Sequence, residues 1–360
     1  MLRRIDTEPL FCRKLHARCA QMGVPLAGSF ELTARCNFQC KMCYVRHGGD
    51  GAGELTTQQW LDLGRQAAQR GMIFLQLTGG EPLLREDFRE IYSGLKKLGL
   101  VISLNTNGSL LDGDMLEFLR KDPPVRLNIS LYGGSNEIYR SLCGVAAFDR
   151  VAENILRARD AGLQLRLTCA VTPDNVGGIS DVCAFARENA LPLKGTTYMF
   201  PPVRVNGGQC GVSPCRFGPE EAAEHMLRWW EKLFSPEVLA AGCGHERCFA
   251  GNGVEQMSME CRAGRTAFWI TWDGRMLPCG MFDGEGYALG EYGLDGAWEQ
   301  LRQECAAVRL PTMCGDCAYR SVCHLCAASC LAETGGFDRP PEYICRMTKH
   351  LNTIVREKYG

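Results

Sequence analysis

The stretch Ile73-Phe74-Leu75-Gln76-Leu77-Thr78-Gly79-Gly80-Glu81-Pro82 decides how the chain is read. A run of strand-forming residues ends abruptly in two glycines, an acid and a proline. Upstream, Phe30–Thr33 is a similar run, and close behind it stand Cys36, Cys40 and Cys43, spaced C-x3-C-x2-C. Downstream, Val101–Asn105, Val125–Leu131, Leu163–Val171 and Leu193–Met199 repeat the pattern, rich in Leu, Ile, Val, Phe or Thr and poor in charge. Helical periodicity fills the intervals. Thr57 to Arg70 carries Trp60, Leu63 and Ala67 on one stripe and closes at Gly71, and Phe148 to Ala161 carries Phe148, Val151 and Ile155 and closes at Gly162. Repeated βα units with continuous apolar strands predict an α/β fold, a parallel sheet covered by helices. Six units fall short of the eight of a closed barrel. The expectation is a partial, TIM-like (β/α)6 barrel over residues 27–205, behind an N-terminal extension, 1–26.

In a βα barrel the C-terminal edge of the strands is the face that carries chemistry. The cysteines after the first strand and the glycines after the second share that edge. Glycine there lets backbone approach a ligand closely. Three thiolates on one tight loop can hold three irons of a [4Fe–4S] cube and leave the fourth open.

The alternation stops near Pro201-Pro202. A linker, 206–255, contains a helix of about Glu220 to Leu233, in which Trp229-Trp230 reads as packing. A small cysteine-rich C-terminal domain follows, 256–350, with a tail, 351–360. Its hairpin is expected at Thr266 to Trp272 and Arg275 to Pro278 around the turn Asp273-Gly274, bringing Cys261 and Cys279 together. Short strands and turns bury little apolar surface, so this segment is expected to depend on metal for its fold.

Composition bounds the rest. The 360 residues are 46% hydrophobic and 22% charged, ordinary globular usage for about two domains. A net charge of -1 gives no field for nucleic acid. No apolar stretch is long enough for a membrane span, and no signal-peptide core follows Met1 to Asp6, so the expectation is a cytoplasmic protein. The 21 cysteines are the anomaly, since a reducing compartment keeps no disulfide framework. Surplus thiols there point to metal, and counting alone leaves zinc and iron–sulfur clusters both open. Cys12, Cys19, Cys143, Cys169, Cys183, Cys210, Cys215 and Cys305 fit no ligand pattern, and Cys169 and Cys183 read as core thiols.

The combination resembles the radical S-adenosylmethionine (SAM) superfamily from about Gly28 to Phe200. It is carried by Cys36/Cys40/Cys43, Thr78-Gly79-Gly80-Glu81-Pro82, Asn105-Thr106-Asn107-Gly108 and Ile129-Ser130-Leu131-Tyr132-Gly133. The resemblance implies a [4Fe–4S] cluster whose open iron chelates SAM. Gly79, Gly80 and Glu81 would meet the SAM amino group, and Asn105, Asn107 and Ser130 would line its ribose and carboxylate side. The electron delivered to SAM would release methionine and a 5′-deoxyadenosyl radical that abstracts hydrogen from substrate. For Ser130, Asn105 and Asn107, backbone bonding and turn shaping are the other readings.

The segment of about Glu260 to Met347 is similar to the SPASM extension of such enzymes. It is carried by Cys261, Gly274 and Cys279, then Cys314-x2-Cys317-x5-Cys323-x2-Cys326, then Cys345. That implies two auxiliary [4Fe–4S] clusters. Cys261, Cys279 and Cys326 would serve the first, and Cys314, Cys317, Cys323 and Cys345 the second. For an eighth ligand Cys248 is preferred over Cys243 and Cys330, with an open iron as the alternative. Many members have three residues where Cys323-x2-Cys326 has two, so Cys330 could replace Cys326.

Members mostly modify peptides or proteins, by crosslinking or side-chain oxidation, and draw electrons from a reductant such as flavodoxin or ferredoxin. The expectation is therefore an oxidative peptide-modifying enzyme. The alternatives are a small-molecule dehydrogenase of the same type and, from another class, a non-catalytic electron-transfer or cluster-carrier protein. Only about 27 residues precede the barrel, so a leader-binding module would have to come from a separate chain. The Asp that follows the second hairpin cysteine in sulfatase-maturating members is absent, since Cys279 is followed by Gly280 and Met281. Tyr198, Met199, Phe200 and Arg204 are candidates to face substrate.

Overall fold

The computed structural model describes residues 10–44, 51–203, 215–240, 258–259, 261–282, 284–320 and 322–359. Six parallel strands form in order: β1 (Ala27–Glu31), β2 (Phe74–Thr78), β3 (Val101–Thr106), β4 (Arg126–Ser130), β5 (Leu165–Ala170) and β6 (Leu193–Thr196). Each pairs with the next, and the sheet does not close, so the α/β partial barrel expected from the sequence is the fold observed. The helices Thr57–Gln69 and Phe148–Asp160 lie where the apolar stripes put them. Gly71 ends the first with φ +98°, a conformation that favours glycine.

One expectation needs correcting. The strands are not continuously apolar but alternate. Leu75 and Leu77, Ile102 and Leu104, Leu127 and Ile129, Leu165 and Leu167 are buried under the helices. The residues between them, Gln76, Ser103, Asn105, Asn128, Arg166 and Thr168, are half-buried on the other face. A strand in a closed doubly covered sheet has no such polar face. In an open barrel that face lines the interior. The polar residues were in plain view at every second position, and the abundance of Leu and Ile hid them.

The apolar face carries the fold. Trp60 and Phe30 are fully buried with ring centroids 5.0 Å apart, and Phe88, Tyr92, Tyr139 and Val151 complete the layer. Each such side chain contributes about 1.5–3 kcal/mol on leaving water.

The C-terminal hairpin joins the barrel sheet. The expected hairpin forms as β7 (Ala267–Ile270) and β8 (Arg275–Leu277), with β9 (Tyr287–Ala288) beside it. It does not stand apart: β7 pairs with β1 in parallel, so one nine-stranded sheet runs from β6 to β9. An edge strand with open backbone groups is thereby covered. The N-terminal helix Leu10–Met22 joins at the same seam, where His16 Nδ1 meets Thr266 Oγ1 at 2.8 Å and Trp298 Nε1 donates to the Gly23 carbonyl at 2.8 Å. The C-terminal segment is also more helical than its turns suggested. Helix Leu289–Ala307 buries Leu294, Trp298 and Leu301, and helix Glu342–Tyr359 absorbs the supposed tail and packs on helix Pro219–Leu233. Among the described residues, no helix is long and apolar enough to cross a membrane.

Candidate active site and cysteine fields

The first cysteine loop is bound to the barrel edge through backbone. Beyond the end of β1, Gly80 N donates to Thr33 O and Glu81 N to Arg35 O, both at 2.8 Å. A Cβ at Gly79 would stand 2.8 Å from Thr33 O, and one at Gly80 2.2 Å from Arg35 O. The two glycines are thus required by the approach of the cysteine loop itself. The loop's far side is tied to helix Asn136–Cys143 by Gln39 N to Cys143 O and Lys41 N to Leu142 O. Cys36 is exposed, while Cys40 and Cys43 are half-buried. Phe38 N, at 3.4 Å, and Asn107 Nδ2, at 3.9 Å, point donors at Cys36 Sγ, but desolvation of the sulfur outweighs them and pushes the thiol up to about 11.

Glu81 and Asn107 turn inward. Glu81 is fully buried, and Oε1 accepts from Leu83 N and Thr106 Oγ1 while Oε2 accepts from Asn107 N at 2.7 Å. Burial pushes its carboxyl up to about 7 despite those three donors. Its side chain therefore braces the loop, and any group offered to a ligand there is backbone. Asn107 Oδ1 accepts from Ser109 N and Oγ, and its Nδ2 donates to Asn37 Oδ1 at 2.8 Å, the turn-shaping role. Asn105 and Ser130 stand on the half-open interior face, where Asn105 Oδ1 accepts from Asn128 Nδ2 at 2.7 Å.

The second field falls into two neighbourhoods. Burial first, then the nearness of Cys345, Cys323 and Cys317, pushes the Cys314 thiol up to about 11. Cys261 is raised by burial and by Cys326. Cys326 caps helix Ala327–Thr334, with Ser329 N donating to its Sγ at 3.3 Å. Cys330 is fully buried within that helix, whereas Cys326 is half-buried. Cys305, which no spacing singled out, is buried near Cys261 and Cys279, and burial with those neighbours pushes it up to about 12. Only its place on helix Leu289–Ala307 reveals it. Among the described residues, no three His, Cys, Asp or Glu side chains close on one ion. Cys243 and Cys248 lie outside the described residues, as do Cys210 and Arg204.

The remaining candidates resolve differently. Trp229 is buried against β6, confirming packing. Cys169 and Cys183 are buried in the core as expected. Tyr198 donates to Glu333 Oε1 at 2.8 Å and Met199 is buried, while Phe200 is half-buried beside Tyr198. A side chain at 280 would meet the Trp269 ring at 2.9 Å, so this hairpin has no room for an acid after Cys279.

Known proteins resemble this chain in sequence and in fold. Residues 30–185 match the radical SAM superfamily. An AdoMet-dependent heme synthase of Methanosarcina barkeri is 28% identical over 340 residues, 88% of this chain and 95% of that protein. Streptococcus suis SuiB, solved with S-adenosylmethionine, superposes with a TM-score of 0.67 at 18% identity over 95% of this chain and 84% of that one. The protein anSMEcpe, solved with AdoMet and the Cp18Cys peptide, gives 0.71 at 17% identity over 92% and 99%.

Proposed function

We propose that this chain, whose residues 30–185 belong to the radical SAM superfamily, is an oxidative enzyme that uses AdoMet to take hydrogen from a peptide or protein substrate. The observation that carries the reading is the loop of Cys36, Cys40 and Cys43, locked by backbone bonds to Gly80 and Glu81 at the barrel's C-terminal edge. When bound there, a reduced [4Fe–4S] cluster supplies the electron that splits AdoMet into methionine and a 5′-deoxyadenosyl radical. The chain's own residues do the rest. Glu81 and Asn107 hold the loops in register. Asn105 and Ser130 offer hydrogen-bond partners from the interior face. The thiols of Cys261, Cys279 and Cys326 and those of Cys314, Cys317, Cys323 and Cys345 would hold two auxiliary clusters that accept the substrate's second electron. Cys330 and Cys248 are the remaining candidates for an eighth ligand.

A peptide substrate is supported by fold likeness to SuiB, also solved with precursor peptide SuiA, and to anSMEcpe with its peptide. A relative covered over 95% of its length, named an AdoMet-dependent heme synthase, favours a second reading, action on a small-molecule precursor of heme. The test is anaerobic reconstitution with iron and sulfide, dithionite reduction, and measurement of 5′-deoxyadenosine from AdoMet. Formation of that product supports the enzyme. Its absence with clusters present and reduced turns the reading toward a cluster carrier. Deuterated peptides and deuterated porphyrins, offered in turn, then separate the two substrates by which label enters the product.

A further inference from the structure

We infer that Glu54 is a positioning residue for the first cysteine loop, its carboxylate fixing the backbone that leads from β1 into Cys36. The inference rests on the reading of Cys36, Cys40 and Cys43 as cluster ligands. Glu54 precedes helix Thr57–Gln69, and its side chain is only 8% exposed. Oε1 accepts from the Thr33 hydroxyl, from Ala34 N at 3.3 Å and from Arg35 Nε at 3.3 Å. Oε2 accepts from Arg35 Nη2 at 3.3 Å and Arg85 Nη1 at 3.4 Å. Three consecutive residues thus converge on one carboxylate, and the next residue is Cys36. From the opposite side the same bridge is held by Gly80 N and Glu81 N on the carbonyls of Thr33 and Arg35.

Arg85 is itself fixed. It is nearly buried, pairs with Asp87 through Nε at 2.8 Å and Nη2 at 2.7 Å, and donates through Nη1 to Leu32 O at 2.8 Å. Two guanidiniums therefore face two carboxylates. Removing a carboxylate from water is costly unless it is paired and hydrogen-bonded, and here five donors offset that cost. An apolar residue would fill the space but leave the Ala34 amide and the Thr33 hydroxyl without this acceptor. The next residue, Leu55, donates its N–H to Trp272 O at 2.9 Å, so the clamp is anchored on the β7–β8 turn. Nothing in this arrangement requires Glu54 to touch a cluster. It acts one layer out, where such partners commonly change metal-site function by about 10–100-fold.

The test compares reconstituted wild type with Glu54→Gln, which keeps shape but points an amide at two guanidiniums. Iron content, the electron paramagnetic resonance spectrum with and without AdoMet, and AdoMet affinity are read together. The expected result is an AdoMet affinity lower by about tenfold or more, with a diminished AdoMet-induced change in the first cluster's signal. The auxiliary signals stay close to wild type, while the melting temperature falls because an amide replaces a nearly buried carboxylate beside Arg85. Wild-type affinity and spectral response in the variant overturn the inference, as does equal loss of every cluster, the mark of a merely structural ion pair. If Glu54→Gln does not accumulate, Arg35→Gln decides, with the same direction supporting the role and a wild-type response overturning it. Failure of wild type itself to bind iron through Cys36, Cys40 and Cys43 overturns the functional reading, and this inference with it.

Discussion

Between β1 and β6 the chain buries a continuous apolar face, with Phe30, Leu77, Leu104, Ile129 and Leu167 all inaccessible to solvent. From Thr312 to Cys326 none of the described residues is buried, yet four cysteines stand there. Both regions are ordered, but by different physics. The barrel rests on the removal of apolar surface from water. The cysteine run removes far less, with Leu325 only partly buried against the core, and on the proposed reading metal held by its thiols would supply the rest of its order. Chemistry at the barrel edge can then change without disturbing the barrel, whereas chemistry in the cysteine run cannot change without disturbing the run.

The sharpest test of that contrast replaces Cys36, Cys40 and Cys43 together with Ala. These thiols are exposed or half-buried and add little to the apolar face. About four irons should be lost, 5′-deoxyadenosine formation should cease, and the melting transition should persist. Collapse of the fold would show that the barrel depends on its cluster after all.

Stripping iron from the wild-type protein probes the other side. Amide exchange in residues 312–326 should rise steeply, while β2 to β5 stay protected. Uniform deprotection of both regions would erase the distinction.

How far the sequence carried the argument follows the same division. The barrel was legible because apolar period and glycine stops are local signals, and every parallel strand lies within a few residues of its expected place. The thiol spacings were legible for the same reason. What stayed hidden was long-range. The pairing of β7 with β1 joins residues some 240 apart, and no local pattern announces it. Cys305 sits near Cys261 and Cys279 only because helix Leu289–Ala307 packs under the hairpin. Glu54 looked like any surface acid before a helix. Its partners Thr33, Arg35 and Arg85 stand 19 to 31 residues away, so no local pattern marks its part in the clamp.

Glu81 gives a smaller, pH-dependent effect. Its carboxyl is pushed from 4.5 to about 7, chiefly by burial. Between those values the folded chain keeps a proton that the unfolded chain has lost. Stability through this group is therefore fully present below 4.5 and declines as pH rises to about 7. Denaturant titrations across that range should show the decline in wild type and a flatter profile in Glu81→Gln. An unchanged profile would mean that another group sets it.

Two arginines on the route to the C-terminal helices close the series. Arg216, with 5% of its side chain exposed, bonds Glu333 at 2.7 Å and lies 3.4 Å from the Tyr343 ring centroid. Glu333 also accepts from Tyr198, so removing the guanidinium leaves a carboxylate only 14% exposed short of its cation. Arg216→Met should cost about 3–5 kcal/mol, the usual penalty for breaking a buried pair. Arg346 bonds Glu220 through two nitrogens, at 2.8 and 2.9 Å, but both side chains are largely in water. Solvent screens that pair, and two long side chains give up freedom to form it. Arg346→Met should leave the melting temperature where it was. Geometry alone would rank the two-point contact of Arg346 first, and burial ranks it last. If the two variants melted alike, it would be contact number rather than desolvation that ties the C-terminal helices to the barrel.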